Sequence, residues 1–158
     1  MKHSNIAKTF AFAALALSIV PTVKAAGCSD ATLNGSFAYK SAGTILTPPV
    51  FAGPLAEVGT LTFDGKGGVT GSGVLQQNGT TNPLTKTGTY TVNHDCTGTL
   101  TIQYSLGFTS QFFFVIDNIE TVNLAYAQGN ELQILCEDAG VVVDGVARRQ
   151  FAVDSSRP

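Results

Sequence analysis

The stretch "GTLTFDGKGGVTGSG", Gly59 to Gly73, decides the fold. Lys66 stands among Gly65, Gly67 and Gly68, which invites a phosphate-binding reading. A Walker-type loop needs Ser or Thr after its lysine, and then a helix whose amino end faces the anion. Here Gly67-Gly68 follows the lysine, and "VTGSGVLQQ" then alternates as a strand does. "TFDGKGGVT" therefore reads as a β-hairpin. Asp64-Gly65 and the next glycines supply the positive φ of its turn, and Lys66 sits at the tip in water. Gly71 and Gly73 share a face with Val69 and Leu75. Alternate glycines in a strand let a barrel wall coil tightly, or leave room inside for a ligand.

Outward from the hairpin the pattern persists. "TYTVN" and "TLTIQYSL" place Tyr90 and Val92, then Leu100, Ile102, Tyr104 and Leu106, on one face, with Thr, Gln and Ser on the other. Such alternation marks half-buried antiparallel strands. Reversals are expected at "FDGKGG", "QQNGTTNP", "NHDCTG", "IDN", "AQGN" and "EDAG". The strands expected between them cover 33–42, 56–64, 68–77, 85–93, 98–106, 111–118, 121–127, 131–137 and 142–152. The fold class is all-β, an antiparallel barrel of about eight or nine strands, with a sandwich as the alternative closure.

Residues 1–25 read as a signal peptide. Lys2 and Lys8 precede the apolar run "TFAFAALALSIV", and "PTVKA" ends with Val23 and Ala25 at the small-residue positions of a cleavage site. The run falls short of the ~20 residues that span a bilayer. A lipoprotein site at Cys28 is less favoured, because Lys24 interrupts the apolar approach. Residues 26–152 then form one barrel domain, and 153–158 a polar tail. Without Lys2, Lys8 and Lys24, six basic residues face eleven acidic ones. A net charge of −5 argues against nucleic acid and anionic membranes as partners, and no second apolar span follows.

Three cysteines, Cys28, Cys96 and Cys136, lack zinc-site spacing, so neither metal nor cofactor is expected. Export favours a disulfide. Cys28 and Cys96 both lie at strand ends and are the preferred pair, although three pairings are open. Cys136, inside "LQILC", reads as a buried thiol.

"QFFFVID" is apolar on both faces, with Phe112, Phe114 and Ile116 on one and Phe113 and Val115 on the other. One set fills a barrel and the other meets something outside. The long connection Gly43–Pro54 is a candidate cover or gate for Phe113 and Val115, and a neighbouring subunit or a ligand are the other candidates.

Catalytic chemistry is sparse. His94, in "NHDC", reads as a solvated turn residue, so no hydrolase triad assembles. Asp64, Asp95, Asp138 and Asp144 read as turn formers. Glu57 opens a strand in the apolar setting "LAEVGTL", and burial would raise its pKa. One of Arg148 and Arg149 must point inward, with Glu57 as candidate partner. Tyr39, Tyr90, Tyr104 and Tyr126 offer hydroxyls. The candidate ligand-binding set is Tyr39, Glu57, Tyr90, Tyr104, Phe112, Phe114 and Arg148.

The segments "CSDATLNGSFAY", "GTLTFDGKGGVTGSG", "TGTYTVNHDCTGTLTI" and "GVARRQF" resemble elements of small secreted bacterial barrels of the allene-oxide-cyclase-like or calycin-like kind. The resemblance covers the whole exported part, but rests on glycine turns and strand starts, so it implies a fold. Plant allene oxide cyclases convert a fatty-acid epoxide inside such a barrel, and lipocalins carry apolar ligands in one. The acidic and amide residues of the plant enzyme's cavity find no match here, and its activity is not carried over. The expected function is a non-catalytic, secreted or periplasmic binder of a small apolar ligand. A structural or surface-associated protein, or a homo-oligomer through Phe113 and Val115, is the second reading. A cyclase or isomerase is the third.

Overall fold

Eight antiparallel strands close on themselves in simple up-and-down order. The structure, a computed structural model, describes residues 27–123 and 126–150, apart from the side chains of 122, 123 and 126. The proposed signal peptide, the last residues of the domain and the polar tail lie outside the described residues. The strands are β1 (Asn34–Ile45), β2 (Gly53–Asp64), β3 (Gly68–Gln77), β4 (Thr80–Val92), β5 (Thr97–Tyr104), β6 (Thr109–Asn123), β7 (Tyr126–Cys136) and β8 (Val141–Arg149). Closure comes from β8 pairing with β1, in register from Phe37↔Arg149 to Ile45↔Val141. A closed barrel leaves no unpaired strand edge.

The opening stretch is the β2–β3 hairpin, with partners from Phe63↔Val69 to Leu55↔Gln77. Gly65 and Gly67 take φ of 72° and 99° in its turn. The Asp64 carboxylate accepts hydrogen bonds from the Lys66 and Gly68 amides, at 2.7 and 2.8 Å. Lys66 is exposed at the tip, and no helix follows.

Eight strands lie within the eight or nine expected, and two of the nine expected segments merge into one. The segments 111–118 and 121–127 are not separate: β6 runs through "IDN" to Asn123, with Asn118 at φ 52°. "AQGN" lies opposite within β7, as Ile119↔Gly129 and Thr121↔Ala127 record. The composition of a turn here lies inside a strand, because Asn tolerates the left-handed conformation there as well. "QQNGTTNP" narrows to the two-residue turn Asn78-Gly79, at φ 49° and 81°, so β4 starts at Thr80 rather than 85. Asp144 lies mid-strand in β8 and is exposed, not in a turn.

One end of the barrel is packed solid. A 3₁₀ turn, Asp30–Leu33, tucks Leu33 beneath the strands, fully buried with Phe37, Phe63 and Phe114. Phe63 meets Phe37 and Tyr90 edge-on, with centroids 5.4 and 5.0 Å apart. Burying each such side chain contributes about 1.5–3 kcal/mol. Asp30 fixes the plug: its carboxylate accepts from the Val92 amide at 2.7 Å, and its carbonyl from the Tyr90 hydroxyl at 2.9 Å. Cys28 and Cys96 form the preferred disulfide at this end, with Cα atoms 5.0 Å apart. The guanidinium of Arg149 lies 4.7 Å above the Phe37 ring and donates to the Gly129 and Asn34 carbonyls. The four hairpin connections at the other end surround an opening.

A one-ended cavity with a buried ion pair

Above this plug the strands enclose a cavity of about 610 Å³. Its deep end is Leu61, Leu100 and Ile102, and its walls include Leu55, Leu75, Phe112, Ile134 and Val143. The mouth carries Pro48 and Phe51 from the β1–β2 connection, Phe108 from β5–β6 and Asp138 from β7–β8.

The β1–β2 connection is shorter than expected. Strand pairing reaches Ile45↔Gly53, leaving only Leu46–Ala52, with a 3₁₀ turn at Pro49–Phe51. Gln77 and Asn78 side chains donate to the Phe51 and Ala52 carbonyls at 2.7 and 2.9 Å. On the other flank the Leu46 amide donates to the Gly140 carbonyl at 2.7 Å. Bonds on both flanks make this segment a fixed rim over the mouth. It does not cover Phe113 and Val115, which stay 37% and 40% exposed. The cover expected from the sequence is corrected accordingly: Pro48 and Phe51 of the segment line the cavity mouth, while Leu46 and Val50 are exposed.

One polar cluster interrupts the apolar wall. Glu57 on β2 and Lys86 on β4 face each other across the β3 strand between them, with Lys86 Nζ 2.6 Å from Glu57 Oε1. Both are buried, at 6% and 5% exposure. The Tyr39 hydroxyl of β1 donates to the same carboxylate oxygen. The ammonium also lies over two aromatic faces, 4.1 Å from the Tyr39 centroid and 4.8 Å from that of Tyr104. Cation–π contact and the ion pair together offset part of the loss of water around the charge.

Two glycines make room for this cluster. A Cβ at Gly59 would stand 2.9 Å from the Tyr39 ring, and one at Gly73 would stand 2.6 Å from its hydroxyl. Gly73 thus opens interior space, but a tyrosine of the same chain fills it.

Burial shapes the titration of the cluster. Desolvation pushes the Lys86 ammonium below the usual lysine range, and attraction to Glu57 only partly offsets this. Burial, reinforced by the bond to Glu57, holds the Tyr39 phenol well above its ordinary value. Burial and the Glu57 charge do the same to Tyr104. Cys136 lines the cavity as a buried free thiol, raised mainly by desolvation.

The candidate residues separate into three groups. Tyr39, Glu57, Tyr104 and Phe112 line the cavity. Tyr90 and Phe114 belong to the packed end instead. Arg148 points outward, its side chain 72% exposed, with Nε 2.8 Å from Glu131. The expected Arg–Glu57 pair is therefore corrected on both sides. Arg149 is the inward arginine, it serves the plug, and Glu57 pairs with Lys86.

Lys86 was missed, although parity betrays it: in "PLTKTGTYTV" it shares a face with Leu84, Tyr90 and Val92. His94 is exposed in the loop at the plugged end, away from the cavity lining. Among the described residues no cluster of His, Cys, Asp and Glu could hold a metal ion.

No family model matches the chain, and no curated protein matches it. One solved structure similar to it is titled a de novo design of a fluorescence-activating β-barrel. That similarity has a TM-score of 0.46 at 12% identity, and covers 74% of this chain and 93% of the design.

Proposed function

We propose that this protein is an exported, non-catalytic barrel that binds one small apolar molecule with a polar end. The cavity of about 610 Å³ carries the proposal, since ligand sites typically measure ~300–1,000 Å³ and combine apolar walls with few polar groups. The ligand's apolar body would lie between Leu55, Leu75 and Phe112, and its polar end against the Tyr39–Glu57–Lys86 cluster. Export is supported by the Cys28–Cys96 disulfide, a bond that persists in oxidising compartments. No helix among the described residues is long and apolar enough to cross a membrane.

Mass spectrometry of the protein purified gently from its own culture tests this reading. A stoichiometric apolar compound, released on denaturation, is the expected result. Protein that is empty and fails to take up any member of an apolar library would overturn it.

The outer face favours a second, compatible reading, self-association. Phe113 pairs with Leu135 across β6 and β7, and Val115 lies beside them, all partly exposed. Sedimentation at rising concentration tests it, with Phe113→Ser and Leu135→Ser expected to shift any dimer to monomer.

A further inference from the structure

We propose that Lys86 joins the aldehyde group of an apolar ligand as an iminium, with Glu57 as its counter-ion. The inference rests on the binding function proposed above and specifies the ligand class. Lys86 is the buried lysine among the described residues, whereas Lys40 and Lys66 are exposed. Lys86 lines the cavity, where an aldehyde on an apolar chain would arrive head first; Lys40 also borders it but is exposed and lacks the setting of a dry amine.

The surroundings suit each stage. Desolvation lowers the affinity of Lys86 for its proton, which raises the fraction of nucleophilic amine. Glu57, 2.6 Å away, takes that proton from the ammonium. The amine nitrogen adds to the carbonyl carbon; a C–N bond forms, and a nitrogen proton moves to the former carbonyl oxygen. Glu57 returns its proton to the hydroxyl, which leaves as water while the C=N bond forms. Nothing is oxidised or reduced. The iminium carries the same single positive charge as the ammonium, so the Glu57 pair and the contacts with Tyr39 and Tyr104 all persist. The apolar walls disfavour return of the released water, which holds the linkage closed.

A simple ion pair for a fatty-acid headgroup fits less well. An incoming carboxylate would meet Glu57, which already neutralises Lys86 and already accepts the Tyr39 hydroxyl. Like charges at such a distance oppose one another strongly in a dry site.

The test incubates the full protein with decanal, reduces it with cyanoborohydride, and maps the product by tryptic mass spectrometry. The expected adduct equals the mass of decanal less one oxygen, and lies on Lys86 rather than on Lys40 or Lys66. Mapping on the unsubstituted chain needs no variant that might unfold; Lys86→Arg, checked for native circular dichroism, is expected to lose the adduct at least roughly tenfold. In parallel, 1-decanol, which cannot form an imine, competes with the fluorescent probe 1-N-phenylnaphthylamine. Displacement by decanol with no adduct at Lys86, or adducts spread over exposed lysines, overturns the imine while leaving apolar binding intact. Failure of both compounds and of the probe overturns both readings.

Discussion

The hydroxyl of Tyr39 reaches over Gly73, where a β-carbon would stand 2.6 Å from it and equally close to the Val58 carbonyl oxygen. The tyrosine can yield, but the backbone carbonyl of the paired strand cannot. Gly73→Ala is expected to cost about 1–3 kcal/mol, as overpacking does. It should also swing Tyr39 into the cavity and weaken probe binding. Urea unfolding and a probe titration check the two effects together. A stable variant with unchanged affinity would mean that the wall flexes where the structure has it fixed.

Glu57 and Lys86 compensate each other, so single and double substitutions should diverge. Lys86→Met leaves a buried carboxylate without its partner and is expected to cost about 3–5 kcal/mol. Glu57→Gln combined with Lys86→Met should recover most of that loss. The coupling energy of this double-mutant cycle is read from denaturant midpoints. Strict additivity would show that the pair does not interact in solution.

Alkaline pH should act through groups of opposite sign, with the buried Cys136 thiol acting in the same direction as the buried phenols. Tyr39, Tyr90 and Tyr104 are held above the ordinary phenol range mainly by burial. Above about pH 10 the unfolded chain loses phenolic protons that the folded chain keeps. Their contribution is present below that pH and is lost as pH rises. Lys86 has the opposite sign: its lowered folded pKa means that the unfolded chain binds more protons, so stability rises with pH toward about 10.4. Urea midpoints measured from about pH 7 to pH 11 should therefore show a fall beginning near the phenol range, shallower in Tyr104→Phe. Indifference to pH through that range would count against the buried phenols.

The Cys28–Cys96 bond closes a sequence separation of 68 residues. Chain-entropy reasoning assigns such a crosslink about 4 kcal/mol. Reduction should lower the unfolding free energy by roughly that amount, measured in urea with and without dithiothreitol. Cys136 is buried in the cavity wall and should react with Ellman's reagent much more slowly in the oxidised native protein than in urea. Prompt reaction of the native protein would contradict its burial.

Strand pattern and hairpin chemistry were legible because period-two alternation and Asn-Gly or Asp-Gly turns are local signals. The reading of "TFDGKGGVT", the alternation of "TLTIQY" and the preferred pairing of Cys28 with Cys96 all transferred to the structure. Asn118 misled because a left-handed residue inside a strand has the composition of a turn. The partnership of Glu57 could not be read locally. It depends on how β2, β3 and β4 lie side by side, with Glu57↔Leu75 and Gly71↔Lys86 setting the heights of the two charges. Arg148 and Arg149 presented an alternation without an origin; pairing of β8 with β1 and β7 supplied it, sending Arg148 to Glu131.

The most direct test asks whether an apolar molecule goes inside the barrel or onto its outer face. 1-N-phenylnaphthylamine is titrated into the unsubstituted chain, into Leu55→Trp/Cys136→Trp, which narrows the cavity, and into Phe113→Ser/Val115→Ser, which removes the outer apolar patch. Saturation at one probe per chain is expected, unchanged by the outer pair and weakened at least roughly tenfold by the cavity pair. Binding lost with the outer pair, and kept when the cavity is narrowed, would contradict the account.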